Sequence, residues 1–274
     1  MALVLNTNIA SMNTQRSINK TQGTMSTAME RLSSGLRVNS ARDDAAGLAI
    51  GTRMDGQIRG LNVAIRNVND GISMLQVADG ALATVSDMMI RMRELAVQSA
   101  NGVYQAGGTE LTALNAEYTS LRTAISNTAS QTKFNGLAII AGDAGAKVLQ
   151  IGANTGDTLS ISTVAANALL PTGASDDITT AANALTQITA LDTALGTVNA
   201  NRGAYGAALN TLDFTVKNLQ NSVENQSAAR SRIMDADYST ETANMSKMQV
   251  LQQAGIAMLS QANQQPQQIL SLLR

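Results

Sequence analysis

The residue types that most often do chemistry in proteins are scarce in this chain. Its 274 residues include no His, no Cys and no Trp, and aromatic residues make up only 2%. Without His or Cys there can be no Ser-His-Asp or Cys-His nucleophile pair, no Cys/His zinc site and no imidazole proton switch. We therefore expect no enzyme, and no catalytic residue, cofactor or metal site.

One group of charged residues resembles a catalytic or metal-binding site. Asp43 and Asp44 are adjacent, and Arg31, Arg37 and Arg42 lie close to them in sequence. On a helix, neighbouring side chains point about 100° apart, so two adjacent carboxylates do not chelate as an i,i+4 pair would. We interpret the group as helix capping and salt bridging.

Other binding classes lack the residues that they need. Met88, Met89 and Met92 could suggest a cofactor site, but Met at helical spacing is usually adaptable core. The net charge of −1 and the few aromatic side chains argue against a nucleic-acid partner. No apolar run reaches the length of about 18 residues that spans a membrane. The polar start, MALVLNTNIASMNTQ, does not resemble a Sec signal peptide.

Two long heptad patterns indicate the elements that organise the chain. Between about Ala45 and Ala100, one line of apolar residues recurs every seven positions, with a second line four residues after its first members: Met54, Leu61, Val68, Leu75, Leu82 and Met89, and Ile58, Ile65 and Ile72. This predicts a long coiled-coil helix that ends near Asn101-Gly102.

A second long helix is predicted from about Ile178 to Arg230, with Ser175, Asp176 or Asp177 as its cap. Its lines are Leu191, Val198, Tyr205, Leu212 and Leu219, and Ile188, Leu195, Leu209, Val216 and Val223, with Arg202 interrupting the second. A shorter amphipathic helix between the two long ones contains Leu111, Leu114, Tyr118, Leu121 and Ile125.

The middle of the chain has a different pattern. Asn135-Gly136 is a turn signal, and residues 147–151 and 158–162 alternate between apolar and polar side chains. We predict a β-hairpin within about 139–163, followed by a variable tip of about 163–190 that begins as a loop through residue 176. The predicted fold is mainly α, a long coiled-coil helical bundle formed by the N- and C-terminal halves with a small hairpin between them.

Both ends carry apolar stripes that lack a partner in the middle region. The members are Val4, Ile18, Met25, Met29, Leu32 and Leu36 at the N-terminal end, and Met248, Leu251, Met258, Ile269 and Leu272 at the C-terminal end. From Thr242 onward the only charged side chains are Lys247 and Arg274. Because soluble monomers normally cover such helices with charge, we expect the ends to pair with each other and with neighbouring copies.

Several long blocks resemble bacterial flagellin. RLSSGLRVNSARDDAAGLAIGTRMD (31–55), QIRGLNVAIRNVNDGISMLQVADGAL (57–82) and RMRELAVQSANG (91–102) are similar to its N-terminal region, and the last 46 residues to its C-terminal region. NTNIASMNTQ near the start and TKFNG (132–136) add to the resemblance. It implies a structural filament subunit for swimming motility, exported through the flagellar type III apparatus and located outside the cell.

The resemblance also implies a layered domain organisation. Residues 1–42 and 235–274 correspond to the innermost coiled coil, called D0, which polymerises through the terminal apolar residues. Arg31, Arg37, Arg42, Asp43 and Asp44 correspond to the spoke between layers. Residues 43–234 correspond to the next layer, D1, and the short middle segment leaves no room for the outer D2 and D3 domains of longer flagellins.

The partners that the resemblance implies are other subunits, the flagellar cap and hook-junction proteins, and an export chaperone at the C-terminal region. Arg91, Glu94, Leu95 and Glu117 match a D1 surface that packs between subunits and that the flagellin-sensing Toll-like receptor recognises in many flagellins. Ser and Thr residues from Thr158 to Thr189 are candidate sites of O-glycosylation.

Three alternatives to a filament subunit are considered. A hook-filament junction protein has the same architecture, but the match through 91–102 and at the C-terminal end favours flagellin. A flagellin with a built-in protease needs a longer insert and the His-Glu-x-x-His motif, which a chain without His cannot contain. A non-flagellar coiled-coil adhesin does not account for the terminal blocks.

Overall fold

A computed structural model describes residues 7–170 and 176–272, with side chains described as far as Gln265. The chain divides into two compact units, of which unit 1 comprises 1–57 and 224–274 and unit 2 comprises 58–223. The elements in chain order are α1 (Ile9–Ser34), α2 (Ala45–Ser99), α3 (Thr109–Gln131), β1 (Lys133–Phe134), β2 (Leu137–Ala138), β3 (Ala146–Gln150), β4 (Thr158–Ser162), a 3-10 turn (Ala166–Leu169), α4 (Ala181–Met234) and α5 (Tyr238–Leu272).

The core of unit 2 follows the predicted heptad lines. From Leu61 to Met89, every member of the main α2 line is buried, as is every member of the α4 line from Leu191 to Leu219. The second line that we predicted for α2 is only half-buried at Ile65 and Ile72. Its place in the core is taken by a line three residues after the main one, made of Ala64, Gly71, Ala78, Val85 and Met92.

Small residues explain that difference. Leu149 of β3 lies so close to α2 that a Cβ on Gly71 would be 2.3 Å from its Cδ1 atom. A larger side chain at position 71 would hold the hairpin away from the helix. The count of apolar residues alone does not show this close approach.

Helix α3 closes the core, with Leu111, Tyr118 and Ile125 buried as their spacing predicts. Arg202, which interrupts the predicted α4 line, pairs with Asp79 of α2, with 2.9 Å between Nε and Oδ1. Arg93 pairs with Asp192 in the same way. From Asp79 to Arg93 the number on α2 rises, while the number of the partner on α4 falls from Arg202 to Asp192. Helices α2 and α4 are therefore antiparallel within unit 2.

The predicted hairpin is present as the antiparallel pair β3–β4, in register from Ala146 with Ser162 to Gln150 with Thr158. A second, two-residue hairpin surrounds the predicted Asn135-Gly136 turn. Asn135 adopts a φ of 49° there, in the left-handed region that Asn tolerates better than most side chains.

Two details of the middle region differ from the prediction. Residues 166–169, expected as loop, form the 3-10 turn, which packs on α3 with Ala166 fully buried. Helix α4 begins at Ala181, and its cap is Thr180, whose Oγ1 accepts from the Asn183 amide at 3.2 Å. Asp177 instead accepts from Thr179 and from the Asn183 side chain. Asp176, another proposed cap, pairs with Arg122 at 2.7 Å between Oδ2 and Nη2. Ser175, the third, lies outside the described residues.

None of the helices in 7–170 and 176–272 combines the length and apolar character that a membrane span requires.

Candidate assembly interfaces

In unit 1, α1 and α5 lie antiparallel and pack along their length. Near one end, Arg31 pairs with Glu241 at 3.1 Å between Nη1 and Oε1. Near the other, the Asn8 side chain donates to the Ala262 carbonyl at 2.8 Å. These polar contacts fix the register of the pair, because a shift by one turn would leave each group without its partner.

Small and polar residues dominate the α5 side of this seam. The α5 residues turned toward α1 recur at heptad spacing, namely Glu241, Met245, Met248, Gln252, Gly255, Leu259 and Ala262. On α1 the corresponding residues are Ser11, Thr14, Ile18, Thr21, Met25, Ala28 and Leu32. The helices can approach closely at Gly255, which lies against Ile18.

The structure divides the terminal apolar residues that we predicted for polymerisation. Ile18, Met25, Leu32 and Met248 are half-buried in the seam between α1 and α5. Met29, Leu251 and Met258 are exposed. Val4 lies outside the described residues, and Ile269 and Leu272 lie in the part of α5 whose side chains are outside them.

Several large apolar side chains of the pair are exposed, on more than one side of each helix. On α5, Val250, Leu251, Ile256 and Met258 are between 46% and 64% exposed, and Ile9, Met12 and Met29 of α1 are 52% to 58% exposed. We call these seven residues the outer apolar face. Counting apolar residues selected Leu251 and Met258, which are exposed, and missed Met245, Gln252 and Leu259, which are half-buried in the seam.

The residues assigned to the spoke form a joint at the ends of α1 and α4. The Arg37 amide donates to the Met234 carbonyl at 2.7 Å, and its guanidinium donates to the Ile233 carbonyl at 2.6 Å. The Ala236 amide donates to the Gly35 carbonyl at 2.9 Å. Side-chain and main-chain hydrogen bonds therefore connect the segment that follows α1 with the end of α4.

Of the two adjacent carboxylates of the joint, Asp44 caps a helix and Asp43 closes the turn that precedes it. Asp44 accepts from the Gly47 amide at 2.8 Å and begins α2. Asp43 accepts from the hydroxyl and the amide of Ser40, both at 2.9 Å. The Ser40 hydroxyl, followed by the backbone amides of Ser40 and Asn39, lowers the pKa of Asp43. Arg42 is exposed.

A second polar surface lies on unit 2. Arg91 contacts Glu94 on its own helix and Glu117 on α3, each at 2.9 Å. The hydrogen bonds that Arg91 donates to the two carboxylates, Glu94 first, raise its pKa. The three side chains are half-exposed and form a connected ion-pair network.

Leu95, which we expected on the same surface, is not there. Its side chain is 1% exposed and belongs to the core of unit 2. Residues 91 and 95 are four apart, but α2 is buried on more than one side at this level by α3 and α4. Leu95 supports the surface from below and is not available to a partner.

Comparison with known proteins shows the family to which the chain belongs. The family model for the bacterial flagellin N-terminal helical region matches residues 5–144, and that for the C-terminal helical region matches 188–273. Together they cover α1 to α3 and nearly all of α4 and α5. The chain belongs to the bacterial flagellin family. As a flagellin it is exported from the cell and is a structural subunit of the flagellar filament, in which it polymerises with other flagellin subunits.

Individual relatives match along almost the whole flagellin chain. It is 45% identical to a flagellin of Halalkalibacterium halodurans over 278 aligned positions, covering 99% of this chain and 100% of the relative. It is 39% identical to a flagellin of Bacillus subtilis, covering 98% and 99%. The crystal structure of Bacillus cereus flagellin matches with a TM-score of 0.50 and 34% identity, covering 56% of this chain and 88% of that one.

The full-length matches decide between the alternatives of the sequence analysis. Named flagellins cover both ends and the middle of the chain, so neither a hook-filament junction protein nor a coiled-coil adhesin is favoured.

Proposed function

We propose that this flagellin polymerises through the outer apolar face of unit 1. In this arrangement α1 and α5 first pair within one chain and then present Val250, Leu251, Ile256 and Met258 to neighbouring copies. Residues 1–42 and 235–274 form the innermost layer of the filament, and residues 43–234 form the layer around it.

One observation carries the proposal. Large apolar side chains are exposed along α5 while the polar face beside them consists of Gln, Asn and Ser, with Lys247 as the only charge between Thr242 and Leu273. A patch of this kind marks an interaction site on a soluble protein, and interface cores are depleted in charge. A homopolymer supplies a partner for the patch on every subunit.

The magnitudes favour assembly over an isolated pair of helices. Each Leu, Ile or Met that becomes fully buried stabilises the assembly by about 1.5–3 kcal/mol. The opposing term is the ordering of two terminal helices, about 1–2 kcal/mol per backbone residue that was not already fixed. When α1 and α5 are already paired within one chain, much of this entropy cost has been met before a neighbouring subunit binds.

Further partners follow from membership of the family. We propose that the flagellar cap and the hook-junction proteins meet the same terminal surface at the two ends of the filament, and that an export chaperone covers α5 before assembly. Each of them would shield the outer apolar face at a stage when neighbouring subunits are absent.

The surface of Arg91, Glu94 and Glu117 is proposed to pack between subunits and, in free monomer, to bind the Toll-like receptor that senses flagellin. The support is its exposure and its ion-pair network, which presents a guanidinium and two carboxylates in fixed positions. Leu95 acts only by holding this surface in shape.

The proposal assigns no catalytic reaction to the chain. Within the described parts of the sequence, no three acidic side chains come together in a way that could hold a metal ion. Its work is mechanical, and the residues that carry it are the apolar side chains between copies.

Seeded polymerisation of purified monomer tests the proposal. Met258→Gln keeps the length of the side chain and the helix propensity but places an amide in the interface, and should raise the critical concentration for growth at least tenfold. Val148→Gln, on β3 and 67% exposed, is the matched control and should change it less than twofold. Normal growth of Met258→Gln together with Leu251→Gln would overturn the proposal.

A further inference from the structure

Two Asn-Gly pairs lie on the surface of unit 2, outside its long helices. Asn101 and Gly102 follow the end of α2, and Asn135 and Gly136 form the turn between β1 and β2. All four residues are exposed. Asn followed by Gly is a reactive pair, because the Gly amide nitrogen can attack the side-chain carbonyl carbon of the Asn and no Gly side chain obstructs it.

The turn after α2 leaves the Gly102 nitrogen available. The Tyr104 amide donates to the Asn101 carbonyl at 3.3 Å, so residues 101–104 form a β-turn with Asn at its first position, where Asn is favoured. Gly102 is then the second residue of the turn, whose amide has no partner within it. None of the hydrogen bonds found among the described residues uses the Gly102 amide.

A hydrogen bond to the Asn101 side chain prepares its carbonyl group for attack. The Val103 amide donates to Asn101 Oδ1 at 3.2 Å, so the side chain folds forward over Gly102. The same bond draws electron density from the carbonyl carbon and stabilises the negative charge that develops on the oxygen during attack. Val103 is 84% exposed, so water reaches the turn.

We propose that Asn101 is a site of spontaneous covalent modification, which converts it to aspartate and isoaspartate. Hydroxide removes the proton of the Gly102 amide, and the nitrogen forms a bond to the side-chain carbon of Asn101. The bond from that carbon to the side-chain nitrogen breaks, and this nitrogen takes up a proton from water and leaves as ammonia, which regenerates hydroxide. The product is a five-membered succinimide ring. Water adds to either of its two carbonyl groups and opens the ring to aspartate or isoaspartate.

The reaction places a charge in a segment that has none. Residues 95–109 contain no charged side chain, and the new carboxylate lies two residues after Ser99, the end of α2. A negative charge near the C-terminus of a helix opposes the helix dipole, and isoaspartate also adds a carbon atom to the main chain. The reaction needs only a folded unit 2, so it goes beyond the proposed function and does not depend on it.

The second pair has the same residue types in a different geometry. Asn135 occupies the second position of a hairpin turn, with a φ of 49°, between Phe134 and Leu137, which pair across β1 and β2. The paired strands hold the Asn135 backbone in the left-handed region, and closing the five-membered ring requires this backbone to rotate. We therefore expect Asn135 to react more slowly than Asn101 while the protein is folded.

Incubation of the purified full-length chain at pH 9 tests the proposal. Samples are digested briefly with trypsin at pH 6, where the reaction is slow, to give peptides 94–122 and 134–147, one for each pair. Mass spectrometry follows the replacement of the side-chain amide by a carboxyl group, and chromatography separates the aspartate and isoaspartate forms. We expect Asn101 to react at least fivefold faster than Asn135 and to give both forms. At lower pH its rate should fall in proportion to the hydroxide concentration.

Gly102→Ala is the matched variant. A Cβ on Gly102 meets no atom within 4 Å and its φ lies outside the left-handed region, so Ala fits there without strain. The added methyl group shields the nitrogen, and the Asn101 rate should fall at least tenfold while thermal unfolding stays unchanged. In guanidinium chloride, where both turns are lost, Asn101 and Asn135 of the unsubstituted chain should react at rates within twofold of each other.

The proposal would be overturned by any of several results. One is an Asn101 side chain that stays intact in folded protein but reacts in guanidinium chloride. Another is an Asn135 rate in folded protein equal to or above that of Asn101. An undiminished rate in Gly102→Ala, or aspartate without isoaspartate, would show that water hydrolyses the side chain directly and that the Gly102 nitrogen takes no part.

Discussion

Gly255 of α5 lies directly against Ile18 of α1, so closely that a Cβ on Gly255 would be 2.9 Å from the Ile18 Cγ1 atom. Together with the Arg31–Glu241 and Asn8–Ala262 contacts, this approach defines how the N- and C-terminal ends of the chain recognise each other. The ends are paired by close packing, by a few polar contacts and by half-buried apolar side chains such as Ile18 and Met248. Other apolar side chains, such as Leu251 and Met258, are exposed.

Enlarging Gly255 should separate the terminal helices. In Gly255→Leu the new side chain overlaps Ile18, and overpacking of this kind costs about 1–3 kcal/mol. The matched control is Gly23→Leu, also within a helix, where a Cβ meets no atom within 4 Å and helix propensity should improve by up to about 1 kcal/mol. Thermal unfolding followed by far-ultraviolet circular dichroism measures both. Equal stability of the two variants would contradict close packing at Gly255.

Tyr118 should make the stability of unit 2 fall at alkaline pH. Burial raises the pKa of Tyr118 to about 12, and its hydroxyl group lies 3.0 Å from Gln187 Oε1. In the unfolded chain the pKa is about 10, so the stabilising effect is complete below pH 10 and is lost as the pH rises from 10 to 12. The loss should be on the order of 2 kcal/mol.

Urea unfolding at pH 9 and at pH 11.5 measures this effect. Tyr118→Phe should be less stable at pH 9, because it lacks the hydrogen bond, but should lose less stability between the two pH values than the unsubstituted protein. Some dependence remains in the variant, because burial also raises the pKa of Tyr205. Tyr104→Phe, in the half-exposed loop position, should keep the full dependence. The same pH slope in all three proteins would be inconsistent with this assignment.

Removing the Arg91 guanidinium should weaken receptor binding by free monomer without unfolding unit 2. Arg91→Ala deletes a half-exposed side chain and breaks two surface ion pairs, which contribute little to stability because solvent screens them. Titration of the Toll-like receptor with monomer should give a loss of affinity of tenfold or more. Arg93→Ala, which breaks the ion pair with Asp192, is the control and should bind as before.

Leu95→Ala is unsuitable for the same experiment. Deleting a fully buried Leu side chain costs about 2–5 kcal/mol, so weaker binding by that variant would report unfolding as much as lost contact. Absence of binding by intact unsubstituted monomer would refute the receptor proposal for this flagellin.

The long helices were predictable because their patterns are long and regular. For α2 the heptad line from Leu61 to Met89 gave both the helix and its buried side, and Asp44 gave its start. For α4 the line from Leu191 to Leu219 did the same. A pattern repeated over so many turns outweighs local exceptions such as Arg202, which the fold accommodates through an ion pair.

Errors arose where tertiary contact decided between similar local signals. Thr180, Asp177 and Asp176 are all acceptable caps by residue type, and in the structure Thr180 accepts the hydrogen bond from the Asn183 amide. Counting apolar residues on α5 favoured Leu251 and Met258, whereas the chain pairs through Gly255 and Ala262 because small residues allow α1 to approach. Leu95 and Arg91 are only four residues apart on α2, but in the folded unit Leu95 is buried and Arg91 is half-exposed. None of these contacts is encoded within a single segment.

Oxidation of methionine side chains tests the outer apolar face most directly. Met12, Met29 and Met258 are between 52% and 63% exposed, whereas Met89 and Met92 are fully buried in unit 2 and serve as internal references. Hydrogen peroxide is applied to monomer and to filament, and the rate of sulfoxide formation at each Met is followed by peptide mass spectrometry. We predict that the three exposed residues react at least tenfold more slowly in the filament, while Met89 and Met92 react slowly in both forms. Equal rates at Met12, Met29 and Met258 in monomer and filament would contradict the account.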